Sequence, residues 1–145
     1  MKKRTLTQQD VDSWKRDNNG YKVFPAYTSF EKCNFGDKCV FDNDCNFDVD
    51  CIFGECCNFG EKCIFGKNCR FDMVCYFGES CRFGEECSFD ECCTFDKNCS
   101  FGNDCWFLGC CSFDEWCIFG NDCSFGEFCN FKEKCNFGEG CSFSE

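Results

Sequence analysis

The chain contains no histidine, and its 145 residues include one proline and two methionines. Without an imidazole it lacks the side chain that most often serves as general acid or base and as metal ligand. No apolar stretch is long enough to span a bilayer, and no apolar segment follows the basic start at Lys2, Lys3 and Arg4 as it would in a signal peptide. We therefore expect no membrane segment, a cytoplasmic location and mostly reduced thiols.

Basic residues are scarce beyond residue 32. Residues 1–32 carry a net charge of +3, whereas residues 33–145 carry −14, which gives −11 for the whole chain. A surface that binds DNA or RNA directly requires the opposite sign. We therefore expect no direct contact with nucleic acid, and a protein partner with a basic surface is favoured.

Cysteine and phenylalanine, with 22 residues each, dominate the composition. From Cys33 to Cys141 a Cys recurs every six residues, and a Phe follows two residues after each one, from Phe35 to Phe143. The unit is Cys-x-Phe-[Gly/Asp]-x-x. Cys and Phe share one face of a strand because they are two residues apart, and Gly or Asp tolerates left-handed or tight-turn backbone. Each unit therefore predicts a short strand followed by a corner, with Cys and Phe inside.

This unit resembles the hexapeptide repeat of left-handed parallel β-helices, which has a small residue, any residue, an aliphatic residue and then Gly, Ala, Asp or Glu. Here Cys stands at the small position and Phe replaces the aliphatic residue. The resemblance covers residues 33–145 and implies an all-β fold, a triangular solenoid of about six 18-residue coils. The family includes acyltransferases and zinc-dependent carbonic anhydrases that depend on histidines. Because this chain has none, we expect no enzyme activity, no cofactor and no metal site.

The cysteines outside the six-residue register support three units per coil. Cys56, Cys92 and Cys110 occupy the last position of their units and fall in one column of residues 18 apart. The whole column is Lys38, Cys56, Val74, Cys92, Cys110 and Phe128. A four-sided coil would scatter these apolar residues over several columns. The triangular coil is therefore favoured.

Residues 1–32 lack the repeat and are predicted to form an N-terminal cap on the solenoid of residues 33–145. Either Thr5 with Gln8 or Thr7 with Asp10 resembles a helix N-cap, which predicts a short helix to about Arg16. Tyr21 and Tyr27 lie on the extrapolated Cys register but have no Phe two residues later. An irregular first turn is therefore expected here, covering an edge that would otherwise promote aggregation.

Apolar residues gather at the corner that contains the off-register column, which we call the apolar corner. Together with the adjoining strands it supplies these interface candidates: Met73, Val74, Tyr76, Cys92, Trp106, Leu108, Cys110 and Phe128. Exposed apolar clusters often mark a partner surface, and one self-complementary patch suffices for a homodimer. The alternatives are that this corner folds partly inward or that the N-terminal segment covers it.

Acidic residues concentrate on a second corner, which we call the acidic corner. Its candidates are Asp42, Asp44, Glu61, Glu79, Asp96, Asp114, Glu115 and Glu133. Solubility alone could explain them. Yet −14 over about 30 Å is roughly one charge per 2 Å, close to the one per about 1.7 Å of duplex DNA. By analogy with pentapeptide-repeat proteins, such a rod could mimic nucleic acid and block a basic groove.

The cysteines leave a second class of function open, that of a thiol-rich metal-binding or redox protein. Their unbroken period differs from the close C-x-x-C pairs of zinc and iron–sulfur sites, and burial explains it. Cys56, Cys92 and Cys110 are different, because they are expected at a corner and should react first. The leading expectation is a non-catalytic acidic β-solenoid that acts by protein–protein contact, with inhibition by nucleic-acid mimicry as its sharper form.

Overall fold

The computed structural model describes residues 4–144, which form a left-handed parallel β-helix of about seven turns with three sheets and a small helical cap. Met1, Lys2, Lys3 and Glu145, the ends of the two predicted segments, lie outside the described residues. The helix α1 spans Gln8–Ser13. This helix is six residues long. The described part of the chain contains no helix that is long and apolar enough to cross a bilayer.

The strands are short, and each pairs with strands one turn away. Sheet 1 contains β1 (Arg4–Leu6), β3 (Thr28–Phe30), β6 (Asn46–Phe47), β9 (Ile64–Phe65), β12 (Arg82–Phe83), β15 (Ser100–Phe101), β18 (Ile118–Phe119) and β21 (Asn136–Phe137). Sheet 2 contains β2 (Lys22–Phe24), β5 (Cys39–Phe41), β8 (Asn58–Phe59), β11 (Tyr76–Phe77), β14 (Thr94–Phe95), β17 (Ser112–Phe113) and β20 (Asn130–Phe131). Sheet 3 contains β4 (Asn34–Phe35), β7 (Ile52–Phe53), β10 (Arg70–Phe71), β13 (Ser88–Phe89), β16 (Trp106–Phe107), β19 (Ser124–Phe125) and β22 (Ser142–Phe143).

The register confirms the triangular coil. Phe71 pairs with Phe89 and Phe53, each 18 residues away, and all strand pairs are parallel. Since one coil contributes one strand to each sheet, the off-register column predicted from Cys56 to Phe128 is a real column of the structure. The four-sided alternative is excluded.

The core consists of three columns of stacked Phe rings. Within a column the rings are nearly parallel, as for Phe77 and Phe95 at 4.8 Å and 3°. Between columns they meet edge to face, as for Phe71 and Phe77 at 5.0 Å and 88°. Both arrangements suit the aromatic quadrupole and add about 0.5–1.5 kcal/mol per pair beyond burial. The repeat therefore places every inner ring in favourable contact with rings above, below and beside it.

The ladder cysteines lie inside, as predicted, and their thiols have a specific partner. The Cys57 thiol donates to the carbonyl of Gly36 at 3.6 Å, and the Cys81 thiol donates to the carbonyl of Gly60 at 3.3 Å. The acceptor is the fourth residue of a unit 21 positions earlier, at a corner of the coil below. Buried carbonyls need such a partner. Cys is thus small enough for the corner and also satisfies a backbone acceptor.

The structure corrects the expectation about the corners. The left-handed residue is the last one of each unit, where 17 non-glycine residues have φ between 55° and 65°, including Val74 at 60°. Gly at the fourth position allows successive coils to approach each other closely. A Cβ on Gly84 would lie 2.7 Å from the backbone of Gly66 and Lys67 in the preceding coil. Where Asp replaces Gly, its carboxylate accepts the next backbone N–H, as Asp90 does. At corners occupied by Gly, such as Gly84, the coils therefore stack too closely to accept a larger residue without a local shift.

The N-terminal segment takes part in the sheets. Phe24 pairs with Phe41 and Phe30 with Phe47, at a spacing of 17 residues, and both inner rings are buried. The six-residue period of Cys does not predict these two strands. The distance in sequence between paired Phe residues is 17 here, one residue less than the 18 found from Cys33 onward. Tyr27, expected in the Cys column, instead takes the left-handed corner position with φ 59°.

Helix α1 closes the first coil. It begins at the predicted cap, where the Thr7 N–H donates to the Asp10 carboxylate at 2.9 Å. The Gln8 side chain accepts from the Asn34 N–H at 2.6 Å and donates to its carbonyl at 3.0 Å, so it satisfies the free edge of β4. Trp14 packs on Phe24 with ring centroids 5.0 Å apart. The helix ends at Ser13, three residues before the predicted Arg16.

The ring columns make a quantitative prediction about stability. Phe77 is fully buried, whereas Phe143 on the last turn is 53% exposed. We expect Phe77→Ala to lower the free energy of unfolding by about 3–5 kcal/mol through lost burial and a residual cavity. The matched change Phe143→Ala should cost about 1 kcal/mol or less. Urea unfolding followed by circular dichroism measures both, and equal shifts of the two midpoints would contradict the stacked-core account.

Candidate protein-binding surface

Surface side chains come from two places in each unit: the residue between Cys and Phe, and the three corner residues that follow the Phe. The apolar corner joins sheet 3 to sheet 2 through residues 36–38, 54–56, 72–74, 90–92, 108–110 and 126–128. The acidic corner joins sheet 2 to sheet 1 through residues 42–44, 60–62, 78–80, 96–98, 114–116 and 132–134. The third corner joins sheet 1 to sheet 3 through residues 48–50, 66–68, 84–86, 102–104, 120–122 and 138–140.

The apolar corner is open to solvent. Val74, Leu108 and Phe128 are exposed, and the exposed fraction of Phe128 reaches 77%. Met73 is half-buried beside them. The N-terminal segment reaches the first turn of this corner, where Arg16 donates to a carbonyl at 3.0 Å, but it leaves these residues uncovered. The corner therefore does not fold inward.

The two aromatic candidates lie on opposite sides of the apolar corner. Trp106 projects from sheet 3 with 63% of its surface exposed. A shallow groove runs beside it over Ser88 and Arg70 to Ile52. Tyr76 projects from sheet 2, and its hydroxyl donates to Asp96 at 3.1 Å. The groove thus extends the apolar surface onto sheet 3, and a second groove lies on sheet 2 beside Tyr76, Val40 and Val23.

The off-register cysteines are placed differently from the ladder cysteines. Cys92 and Cys110 are exposed on successive turns, and Cys56 is half-buried two turns before Cys92. Desolvation, followed by the neighbouring Cys110 thiol, raises the pKa of Cys92. Burial, followed by nearby carboxylates, raises the pKa of the ladder thiol of Cys33 to about 11. The difference between the two groups is therefore exposure, since Cys92 and Cys110 are accessible to reagents and Cys33 is buried.

The acidic corner contains all eight predicted carboxylates, but lysines interrupt it. Lys97 pairs with Glu115 at 3.4 Å, and Lys132 pairs with Asp114 at 3.2 Å. The N–H of Glu115 and then Lys132 lower the pKa of Asp114. Eight acids and four lysines give this corner a net charge of −4. Its outward potential is therefore weaker than the count of acids suggested.

Six of the eight acids of the acidic corner form no ion pair in the described part of the chain. These are Asp42, Asp44, Glu61, Glu79, Asp96 and Glu133. Asp42 and Asp96 instead accept the N–H of the next residue at 2.8 Å, which fixes their orientation. The unpaired acids are the ones best able to contact a partner.

The third corner is the more continuous acidic column. In its first half Lys32 pairs with Asp50 at 3.0 Å and Lys67 pairs with Glu85. Hydrogen bonds from Lys32 and Asn68 lower the pKa of Asp50. The second half carries acids without a described ion pair: Glu86, Asp104, Asp122 and Glu139. The acidic candidates predicted from the sequence lie on the acidic corner instead, where four lysines interrupt the acids.

Charge is distributed around the whole solenoid. The third corner carries −6 from residue 48 onward, and the apolar corner itself carries −5, with Glu91 and Glu127 among its acids. The seven strands of sheet 3 rise in six steps of about 4.8 Å, or roughly 29 Å. The faces between the corners carry two arginines, Arg70 and Arg82, and no acid, so all three corners of the rod are negative.

Two surface features were not anticipated from the sequence. Trp116 on the acidic corner is exposed, and the Lys134 ammonium lies 4.3 Å from its ring centroid. The ladder thiols of the last turn, Cys129, Cys135 and Cys141, are only partly buried. The contact between Trp116 and Lys134 could have been predicted from their 18-residue spacing. The partial burial of the last-turn thiols follows from the position of that turn at the end of the described solenoid.

Comparison with protein-family models, with curated proteins and with solved structures gives no match for this chain. Within residues 4–144 no group of three or more His, Cys, Asp or Glu side chains is arranged to hold a metal ion. The arrangement of charge and apolar surface is therefore the basis for a functional proposal.

Thiol labelling tests the placement of the cysteines. In the folded protein we expect N-ethylmaleimide to modify Cys92 and Cys110 first, because both are exposed. Cys56 and the thiols of the last turn should follow, while buried Cys81 and Cys99 should react only after denaturation. Peptide mass spectrometry at successive times measures this order. Modification of Cys81 at the rate of Cys92 would show that the core is not closed as described.

Proposed function

We propose that the chain is a non-catalytic binding protein, an acidic rod that contacts a basic surface of a protein partner. The observation that carries this proposal is the charge on all three corners of the solenoid, −14 in residues 33–145, with four ion pairs in the described part of the chain. A partner with a basic groove would meet negative potential from any side of the rod.

The stiffness of the coil supports this proposal. The backbone at each corner is tied to the next turn, as where the Asp104 N–H donates to the Asn121 carbonyl at 2.9 Å. Asn103 also accepts the Asn121 N–H at 2.9 Å through its side chain. Acids held on such a frame lose little conformational entropy on binding. Most of the electrostatic attraction is therefore available for affinity and association rate.

Mimicry of nucleic acid is the sharper form of the proposal. About 29 Å of rod with −14 has roughly one charge per 2 Å, close to the one per about 1.7 Å of duplex DNA. Bound in the basic groove of a nucleic-acid-binding protein, the rod would exclude nucleic acid and so act as an inhibitor. The effect would need no contact between this chain and nucleic acid.

The resemblance to hexapeptide-repeat proteins enters this proposal at the level of architecture. The unit and the left-handed triangular coil support a place beside that family, whereas the lack of histidine separates the chain from its acyltransferases and carbonic anhydrases. We therefore propose no catalysis and no cofactor. A cytoplasmic location agrees with the 22 free cysteines.

The apolar corner supports self-association as part of the same proposal. Val74, Leu108 and Phe128 are exposed within four successive turns, and the groove beside Trp106 adjoins them. Two antiparallel rods could bury these residues against each other across a two-fold axis. The dimer would leave the acidic corner and the third corner free for the partner.

The charge proposal predicts a salt-sensitive complex. A partner captured from the native host by immobilised protein should be released between roughly 50 and 500 mM salt, where the screening length falls about threefold. Excess duplex DNA should displace the same partner. Exchange of Glu86, Asp104 and Asp122 for Lys should weaken binding by an order of magnitude or more, because like charges would then face the basic groove. Titration with the purified partner measures the affinity.

A matched control separates charge position from total charge. Thr94, Ser100 and Ser112 lie on the sheet faces, outside the three corners, so their exchange for Lys adds three positive charges and keeps every acid. Exchange of Glu86, Asp104 and Asp122 for Gln, Asn and Asn changes the net charge by the same amount. The Lys variant should lose clearly less affinity than this neutralised one. Binding that ignores salt, or a partner without a basic surface, would remove the case for mimicry.

The dimer makes a separate prediction. Leu108→Lys and Phe128→Lys should convert a dimer to a monomer in sedimentation velocity, because each places a charge in the apolar interface. Ile118→Lys, an exposed apolar residue on sheet 1, is the matched control and should leave the dimer intact. A wild-type chain that sediments as a monomer at high concentration would refute the proposed self-association.

A further inference from the structure

The apolar corner places two exposed thiols on successive turns of one column. Cys92 and Cys110 are both exposed, and both take the left-handed conformation with nearly equal φ values of 61° and 60°. Because their backbones match, the two side chains leave the corner in the same direction. Their backbones are joined directly to the neighbouring turns: the Cys92 N–H donates to the Gly109 carbonyl at 3.1 Å, and the Cys110 N–H donates to the Glu127 carbonyl at 2.9 Å.

The separation between these turns suits a bridging ion. Phe89 and Phe107, from the same two units as the thiols, stack at 4.8 Å. A disulfide bond is about 2.05 Å long and requires a dihedral angle near 90°, which parallel side chains do not offer. Two metal–sulfur bonds of about 2.3 Å placed end to end span about 4.6 Å. A single ion held between the two sulfurs therefore fits the rung spacing without a change in the backbone.

The number and type of ligands select the ion. Structural zinc takes four ligands, and residues 4–144 contain no group of three or more suitable side chains. Thiolates are soft ligands and favour Cu(I), which accepts two ligands in a linear arrangement. The ladder thiols beside the pair are not available, because Cys93 and Cys111 are buried and donate to the carbonyls of Asp72 and Asp90 at 3.6 and 3.5 Å.

We propose that Cys92 and Cys110 form a surface site that binds one Cu(I) ion through both sulfurs. Two thiols and Cu⁺ give a copper bis-thiolate with one negative charge and release two protons. No electron is transferred. The acidic surroundings raise the local concentration of cations at this corner. The site lies apart from the third corner and so does not depend on the proposed basic partner, but it shares its column with Val74 and Phe128 of the proposed self-association surface.

Competition with bicinchoninate tests the site. Reduced protein is titrated with Cu(I) under anaerobic conditions, and the copper retained against the chelator is measured from the absorbance of the copper–bicinchoninate complex. The wild-type chain should retain one Cu(I) ion per chain. Cys92→Ser and Cys110→Ser should each lower the affinity at least tenfold, because a single thiolate remains. Circular dichroism checks that the variants are folded.

The same column supplies a matched control and a gain of function. Cys56 has Lys38 and Val74 as its column neighbours, so Cys56→Ser should leave copper retention unchanged. Val74→Cys would complete a run of four thiols on successive turns and should raise the retained copper above the wild-type amount. The proposal fails if the wild-type chain retains no copper, if Cys56→Ser weakens binding as much as Cys92→Ser, or if Val74→Cys adds none.

Discussion

The distance between successive turns, about 4.8 Å, governs the rest of this structure. Backbone hydrogen bonds between parallel strands set this distance, and every inner side chain must then tolerate its counterpart at the same separation. Phe meets the condition, because its rings stack in parallel with centroids 4.8 Å apart and the neighbouring columns supply edge-to-face contacts. Cys meets it for another reason. Its small side chain fits the narrow corner, and its thiol satisfies a carbonyl that lies at the corner of the coil below.

The same spacing acts on the surface, where side chains are also stacked in columns. Like charges one turn apart repel each other, and the acidic corner relieves this repulsion with Lys97 and Lys132. The third corner does so only in its first half, so Glu86, Asp104 and Asp122 keep an unrelieved negative column. Bringing these acids into register costs folding free energy, which a basic partner would offset on binding.

The period of Cys and Phe was sufficient to predict the coil, its three sides and the buried ladder. What it could not predict depends on contacts between turns. The contraction to 17 residues that brings Phe24 and Phe30 into the core interrupts the pattern once, and only the pairing of β2 and β3 reveals it. The left-handed residue was expected near Gly and Asp, but close packing of Gly84 on Gly66 decides the fourth position, while almost any residue, even Val74, occupies the sixth. The ion pairs of the acidic corner likewise depend on which columns become neighbours.

One residue type thus has two chemistries in this chain, according to the side of the wall on which it lies. A ladder thiol such as Cys81 is desolvated and already donates to a carbonyl, so ionisation would cost it both solvation and a hydrogen bond. A thiol at the sixth position of a unit, such as Cys110, points outward and is exposed to solvent, so its ionisation does not carry the cost of burial in the core. Since the sixth position tolerates many residues, two thiols on successive turns of one column are not required by the fold. Stability accounts for the nineteen ladder cysteines, and the exposed pair calls for an explanation in terms of binding.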